Sequence, residues 1–150
     1  MLAALGPKML QLARDRSAGA HPYNVTPEHT AIAREAVGPD ALVATEQAVA
    51  LTTDPVVARA AGRQHASIYL NLPNYTNNLR RLGFADEDFA DGGSDRLIDA
   101  LVAWGDEAAI AARVQEHRDA GADHVCVQVV NLDDAAPQAQ WRALAPALVQ

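Results

Sequence analysis

The sequence has a single cysteine, Cys126, among 150 residues. No intramolecular disulfide can form, and the apolar run around Cys126 makes it a small core residue rather than a reactive thiol, since no sequence neighbour would lower its pKa. Cations are scarce: 12 Lys and Arg stand against 19 Asp and Glu, for a net charge of -7. That balance excludes the basic stripe a nucleic-acid partner requires. Arg80-Arg81 is only a local pair, placed by its surroundings on a solvated helix face. No run of eighteen apolar residues is present, so no membrane span is expected. Met1 to Lys8 has neither a basic leader nor a long apolar core with a cleavage site, which gives a soluble, cytoplasmic reading. Phosphate-loop, dinucleotide and nucleophile-turn motifs are missing too: Gly92-Gly93-Ser94 follows no strand and lacks the lysine. Kinase, Rossmann dehydrogenase and serine hydrolase readings fall with them. The five histidines, His21, His29, His65, His117 and His124, show no metal-ligand spacing, so no metal is expected, and His117 and His124 read as structural or exposed.

Apolar residues make up 49% of the chain, enough for a core in one domain of this length. Roughly a fifth of the residues are alanine, which favours helices. The clearest unit runs from Gly105 to Val130. Asp106 can cap a helix over 108–120, with Ile110 and Val114 four apart, and Gly121 can end it in a left-handed conformation. The β-branched run 123–130 then predicts a strand buried on both faces, as in a parallel sheet covered by helices.

The same alternation appears upstream. Leu2 to Leu5 reads as the tail of a strand, and Gly6-Pro7 opens a helix to about Arg16, with Met9, Leu10, Leu12 and Ala13 as its buried stripe. Ala18 to Asn24 is a short strand interrupted by Pro22. Thr26-Pro27-Glu28 starts a helix, with Thr26 as its cap, that Gly38-Pro39 stops. Ala41 to Leu51 is a strand, and Asp54-Pro55 opens a long helix to about Leu72, broken by Pro73. A helix over 74–82 closes at Gly83, 85–93 is a loop, and Ser94 caps a helix over 95–103. A loop over 131–136 precedes a terminal helix beginning at Pro137.

This order predicts an α/β fold with four parallel strands near 2–5, 19–24, 42–51 and 123–130, neighbours in that order, and a helical insertion before the last. Four such strands are half of an eight-stranded barrel. The first opens abruptly at Met1, and a sheet so bounded exposes two edges. Residues 1–150 are therefore expected to be a single partial domain whose preceding half is missing, with functional groups at the carboxyl ends of its strands.

Several segments resemble one family. Leu2-Ala3-Ala4-Leu5-Gly6-Pro7-Lys8-Met9, Ala18-Gly19-Ala20-His21-Pro22-Tyr23 and Thr26-Pro27-Glu28-His29-Thr30 are similar to the second half of luciferase-like flavin and deazaflavin oxidoreductases. Leu70-Asn71-Leu72-Pro73-Asn74-Tyr75, Leu82-Gly83-Phe84 and Asp99-Ala100-Leu101-Val102-Ala103-Trp104-Gly105 continue the match. Each motif alone is weak; their order and spacing over the whole chain carry the resemblance. It implies the C-terminal half of a (β/α)8 TIM barrel and an oxidoreductase that uses coenzyme F420 and acts on a small-molecule substrate. FMN, in a luciferase-like monooxygenase, is the alternative cofactor.

Free N–H groups at the turn between the first strand and helix could hold a phosphate, and Gly6 allows close approach, although Pro7 removes one donor. An ordinary strand-to-helix connection is the plain alternative. The resemblance places the cofactor's phosphate region there, so Ala4, Leu5 and Gly6 are the candidate cofactor residues, with Lys8 able to add charge. His21 and Tyr23, at the carboxyl end of the second strand, are the candidate substrate residues; a packed ring and a pocket wall are their plain alternatives. Glu46, inside an apolar strand, is costly unless paired or facing the barrel mouth, and a structural ion pair is expected. Tyr69, Tyr75, Asn74, Asn77 and Asn78 form a polar-aromatic cluster, near the substrate or packing helices. The resemblance also implies that ring-contacting residues lie in the absent half, so no catalytic residue is assigned. A homo-oligomer or a partner half barrel would complete the sheet, and a truncated, non-catalytic paralogue is the reading outside the enzyme class.

Overall fold

The computed structural model describes residues 1–130 and 137–149. Seven helices and four strands alternate along them: α1 (Pro7–Arg16), β1 (Gly19–Ala20), α2 (Pro27–Val37), β2 (Leu42–Leu51), α3 (Pro55–Ala66), α4 (Pro73–Arg81), α5 (Asp95–Leu101), β3 (Val102–Gly105), α6 (Glu107–Asp119), β4 (His124–Val129) and α7 (Gln138–Leu148). Short 3-10 turns occupy Tyr69–Asn71 and Asp86–Gly92.

β2 is the centre of an open, parallel sheet. It pairs with β1 at Leu42 and Val43, with β4 from Ala44 to Val49 and with β3 from Ala48 to Leu51. At Ala48 and Val49 both β3 and β4 are partners, so they must take opposite edges of β2 there. Leu2 adds one parallel bridge to Ala20, which gives the expected order of the four segments. The first two are shorter than expected. Only Leu2 of 2–5 pairs, and β1 ends at Ala20, because Pro22 carries no N–H and the chain turns at Asn24 into a left-handed conformation with φ 54°.

The face of β2 bearing Val43, Thr45, Gln47 and Val49 packs outward on helices. Val43 joins Leu10 and Ala13 of α1 and Ala33 and Val37 of α2, while Val49 joins Ile110 of α6 and Leu144 of α7. The opposite face, with Ala44, Glu46, Ala48 and Ala50, looks toward β4's Cys126, the Tyr23 turn and the α3–α5 segment. Small alanines on β2 let these layers approach closely. Only Leu10 and Ala13 of the expected α1 stripe are buried; Met9 and Leu12 are 41% and 43% exposed.

Several helix starts follow their capping residues. Asp54 accepts from the N–H groups of Val56 and Val57, Ser94 from Leu97, and Asp106 from Ala109. Thr26 occupies the cap position of α2 but makes no cap bond. The helix expected over 54–72 stops at Ala66. Pro73 acts less as a breaker than as the first residue of α4, with Leu72 extended before it. The loop expected over 85–93 is ordered around Asp88, whose carboxylate accepts from Ala85 N–H, Ser94 Oγ and Arg96.

Two further expectations are corrected. The helix over 95–103 ends at Leu101 and runs straight into β3, because pairing with β2 outweighs local helix propensity. β4 is not buried on both faces: His124 and Gln128 are exposed and Val125 to Val127 half-buried, since among the described residues β4 pairs with β2 alone. Cys126 is accordingly half-buried rather than in the core. The loop expected over 131–136 lies outside the described residues. No helix among the described residues is long and apolar enough to cross a membrane.

Candidate functional site

At the carboxyl ends of the Leu2 segment and β1, a cleft of about 330 Å³ opens. Its walls bring together all five residues singled out above, Ala4, Leu5, Gly6, His21 and Tyr23, with Asn74, Tyr75 and Asn77 of the polar-aromatic cluster. Ala3, Met9 and Arg81 complete the lining. Tyr69 and Asn78 lie outside it: Asn78 is buried, and Tyr69 packs behind Tyr23 and Tyr75 with ring centroids 5.3 and 5.0 Å away.

The turn at Gly6 opens α1 without any side-chain cap. The first amides of the helix therefore have no intrahelical acceptor, and the positive end of the helix faces the cleft. Gly6 has φ -85°, which any residue can adopt, so its value is space rather than conformational freedom. A β-carbon there would meet only Nη2 of Arg81, at 3.5 Å. A side chain at this position would leave the backbone unstrained and would instead fill the space between the turn and the guanidinium.

Arg80 and Arg81 are both exposed, as expected of a solvated face, and Arg80 bonds to Asp86 and stacks on Phe89. Arg81 makes no ion pair among the described residues and delivers its charge to Gly6 from the end of α4. No local pattern could have announced this, because α4 meets the turn only through the tertiary fold. His29 was also missed. Its Nε2–H donates to the Leu5 carbonyl at 2.9 Å and so fixes the turn from beneath. The spacing His29, Ala33, Val37 is the signal, since it sets the imidazole on the buried stripe of α2. Burial pushes its pKa down, opposed by the bond to Leu5, with Arg81 nearby lowering it further.

His21 donates from Nδ1 to the Ala44 carbonyl at 2.6 Å, which leaves Nε2 as its other polar atom. Tyr23 has a defined hydroxyl: Tyr69 donates to it at 3.0 Å, and it donates to Gln128 Oε1 of β4 at 2.7 Å. Burial first, then the Tyr69 bond and the nearby Glu46, hold the Tyr23 phenol well above its usual range, so it acts as a neutral hydrogen-bonding group. Glu46 makes no ion pair among the described residues, contrary to expectation. Its Oε2 accepts from the Asn24 backbone N–H at 2.9 Å, and burial raises its pKa to about 7. His117 is structural, bonded to Thr30 and Gln47, and His124 is exposed. Among the described residues no group of three or more His, Cys, Asp or Glu is placed to hold a metal ion.

The cleft therefore combines an uncapped helix start, one cation without an acid partner, a neutral tyrosine and a largely apolar wall. It can hold an anionic group at Gly6 and Arg81 and a polar, uncharged group at Tyr23 and His21.

No protein-family model matches this sequence, and no curated protein matches it. Solved structures do. The coenzyme F420-dependent tetrahydromethanopterin reductase of Methanopyrus kandleri superposes with a TM-score of 0.71 at 20% identity, over 97% of this chain and 50% of that one. An F420-dependent secondary alcohol dehydrogenase, solved with an F420-acetone adduct, gives 0.66 at 13% identity, over 99% and 48%. Apo-MsnO8 gives 0.61 at 16% identity, over 97% and 49%. The chain spans about half the length of each of these proteins. Its parallel α/β sheet has the fold of about half of each of these chains.

Proposed function

We propose that the chain is the C-terminal half of a coenzyme F420-dependent luciferase-like oxidoreductase and that its cleft receives the phosphate-bearing part of the deazaflavin. The observation that carries this reading is the meeting of Gly6, Arg81 and the uncapped start of α1 at one end of a cleft whose other end is Tyr23 and His21. Two of the solved structures described above, which share the fold, are named as F420-dependent.

The residues fit the group. Space for a phosphate exists where a β-carbon at Gly6 would sit, with a guanidinium beside it. Ala4, Leu5 and Gly6 would hold the phosphate by backbone contact, Arg81 would neutralise it, and His29 keeps the turn in place through the Leu5 carbonyl. When bound, the deazaflavin supplies hydride acceptance or donation. On the substrate side, Tyr23 and the free nitrogen of His21 orient a polar group; the tyrosine hydroxyl, held neutral with its proton on Gln128, has a lone pair left to accept. The apolar walls of Ala3, Ala4, Leu5 and Met9 exclude water.

Fluorescence titration of the protein with deazaflavin, and separately with FMN, tests this. Deazaflavin is expected to bind more tightly than FMN. Gly6→Val and Arg81→Ala should each weaken it at least about tenfold, or roughly 1.4 kcal/mol. Because the Gly6 backbone is relaxed, Gly6→Val should fold normally. Unchanged affinity in that folded variant removes the turn from the site, and a preference for FMN replaces the cofactor assignment.

A further inference from the structure

We infer that Glu46 is a positioning residue for Tyr23: from the neighbouring strand it grips the chain on both sides of the tyrosine and so sets the polar end of the cleft. The grip has two bonds. The backbone N–H of Glu46 donates to the Pro22 carbonyl at 2.9 Å, and its side-chain Oε2 accepts from the Asn24 N–H at 2.9 Å. Tyr23 lies between them. Asn24 has φ 54°, a left-handed conformation that asparagine tolerates better than other side-chained residues, and it turns the chain just after Tyr23. Both partners are inaccessible, with Asn24 2% and Glu46 3% exposed. With the turn so fixed, the phenol of Tyr23 reaches Gln128 on β4 and receives the hydroxyl of Tyr69.

A carboxyl is a costly way to hold one backbone N–H in a buried strand, and its cost makes the grip sensitive to protons. The titratable groups facing it are Tyr23 from the turn, Tyr75 from α4 and Cys126, its register partner on β4; none is a cation. Burial consequently raises Glu46 to about 7, opposed only by the Asn24 bond. Near neutrality the carboxylate grips Asn24 more firmly than the acid does, and it also repels charge on Tyr23, Tyr75 and Cys126, each held above its usual pKa in part by Glu46. The inference is independent of which ligand the cleft takes.

The three tyrosines of the chain, Tyr23, Tyr69 and Tyr75, all belong to this cluster, so ¹³C-tyrosine ring resonances report on it alone. Between about pH 5 and 9 the wild-type Tyr23 signals are expected to shift with a midpoint of about 7. Glu46→Gln keeps an acceptor for Asn24, so it should keep the wild-type line positions at low pH while losing the titration. Glu46→Val should move the Tyr23 signals toward those of a loosely held ring. His21→Gln should retain the titration, which assigns it to the carboxyl rather than the imidazole. A titration that survives Glu46→Gln, or one that His21→Gln abolishes, overturns the inference. So do wild-type tyrosine signals that stay fixed across the whole range. If Glu46→Val fails to fold, the glutamine variant decides alone.

Discussion

His117 has both ring nitrogens engaged in the core. Gln47 spends its amide N–H groups on the Ala48 and Leu101 carbonyls, so its Oε1 must accept from Nε2–H of His117, and Nδ1 accepts from the Thr30 hydroxyl. The ring is therefore neutral, and burial, with Arg113 nearby, depresses its pKa to about 4. A histidine with a depressed folded pKa stabilises the fold above its unfolded value near 6.5 and loses that contribution as pH falls toward 4. Glu46 behaves in the opposite sense. Its folded pKa of about 7 lies above the unfolded 4.5, so the fold prefers the acid, and stability falls as pH rises from about 4.5 to 7. Each effect is roughly 3–4 kcal/mol, because one pKa unit corresponds to about 1.4 kcal/mol. Thermal melts are expected to be nearly flat between about pH 4.5 and 6.5, where the two slopes cancel, and to decline on either side. Glu46→Gln should raise the melting temperature above pH 7 and leave it unchanged near pH 4.5; a fall above pH 7 would contradict the burial argument. At this scale the sequence was partly legible. Gly6, His21 and Tyr23 stood beside glycine or proline at strand ends, where local chemistry announces a turn. Arg81 and the grip of Glu46 could not be read, because each acts on a residue far away in the chain.

The elements were legible wherever a capping residue or a glycine marked a boundary. α2, α6 and β2 fall close to their expected limits, as does Gly121, left-handed with φ 101°. β3 was not legible, because it follows α5 without a turn and is made a strand only by the edge of β2. Packing between helices supplies a test of this kind of tertiary control. Gly62 lies inside α3, and a β-carbon there would stand 2.6 Å from Cγ2 of Ile98 on α5, itself wholly buried. Helix propensity alone favours Gly62→Ala by about 1 kcal/mol. The clashing methyl is one arm of the β-branched Ile98, whose χ1 is stiff, so overpacking of about 1–3 kcal/mol should prevail. Urea unfolding should show net destabilisation; a stabilised variant would mean that α3 and α5 can separate freely. The opposite end of the sheet is tied by Arg34, which donates to the carbonyls of Gly38, Ala41 and Gly121 and pairs with Asp123. Arg34→Ala leaves those acceptors without their donor and should cost about 2–4 kcal/mol in the same measurement.

For the molecule as a whole, the open sheet is the controlling fact. Beyond its pairing with β2, β4 presents half-buried Val125 and Val127 beside a groove with Leu144 and Leu148, where Trp141 is 51% exposed. Unpaired strand edges with adjoining apolar surface favour association. The 150-residue chain is expected to self-associate at micromolar concentration, and light scattering together with the emission of Trp141 and Trp104 will report it. A monodisperse monomer that melts cooperatively would show that the half sheet stands alone. The parallel half barrel was foreseeable because it follows from the alternation of elements, whereas the exposure of β4 depends on what lies beside it. Arg34 has a consequence at this scale as well. By fastening the starts of β2 and β4 to one guanidinium, it locks their alignment at the end of the sheet remote from the cleft. Loops at the cleft end can then change length or composition without shifting the strands beneath them. A lineage built on this frame could exchange one ligand preference for another by editing loops, each trial leaving the scaffold in register.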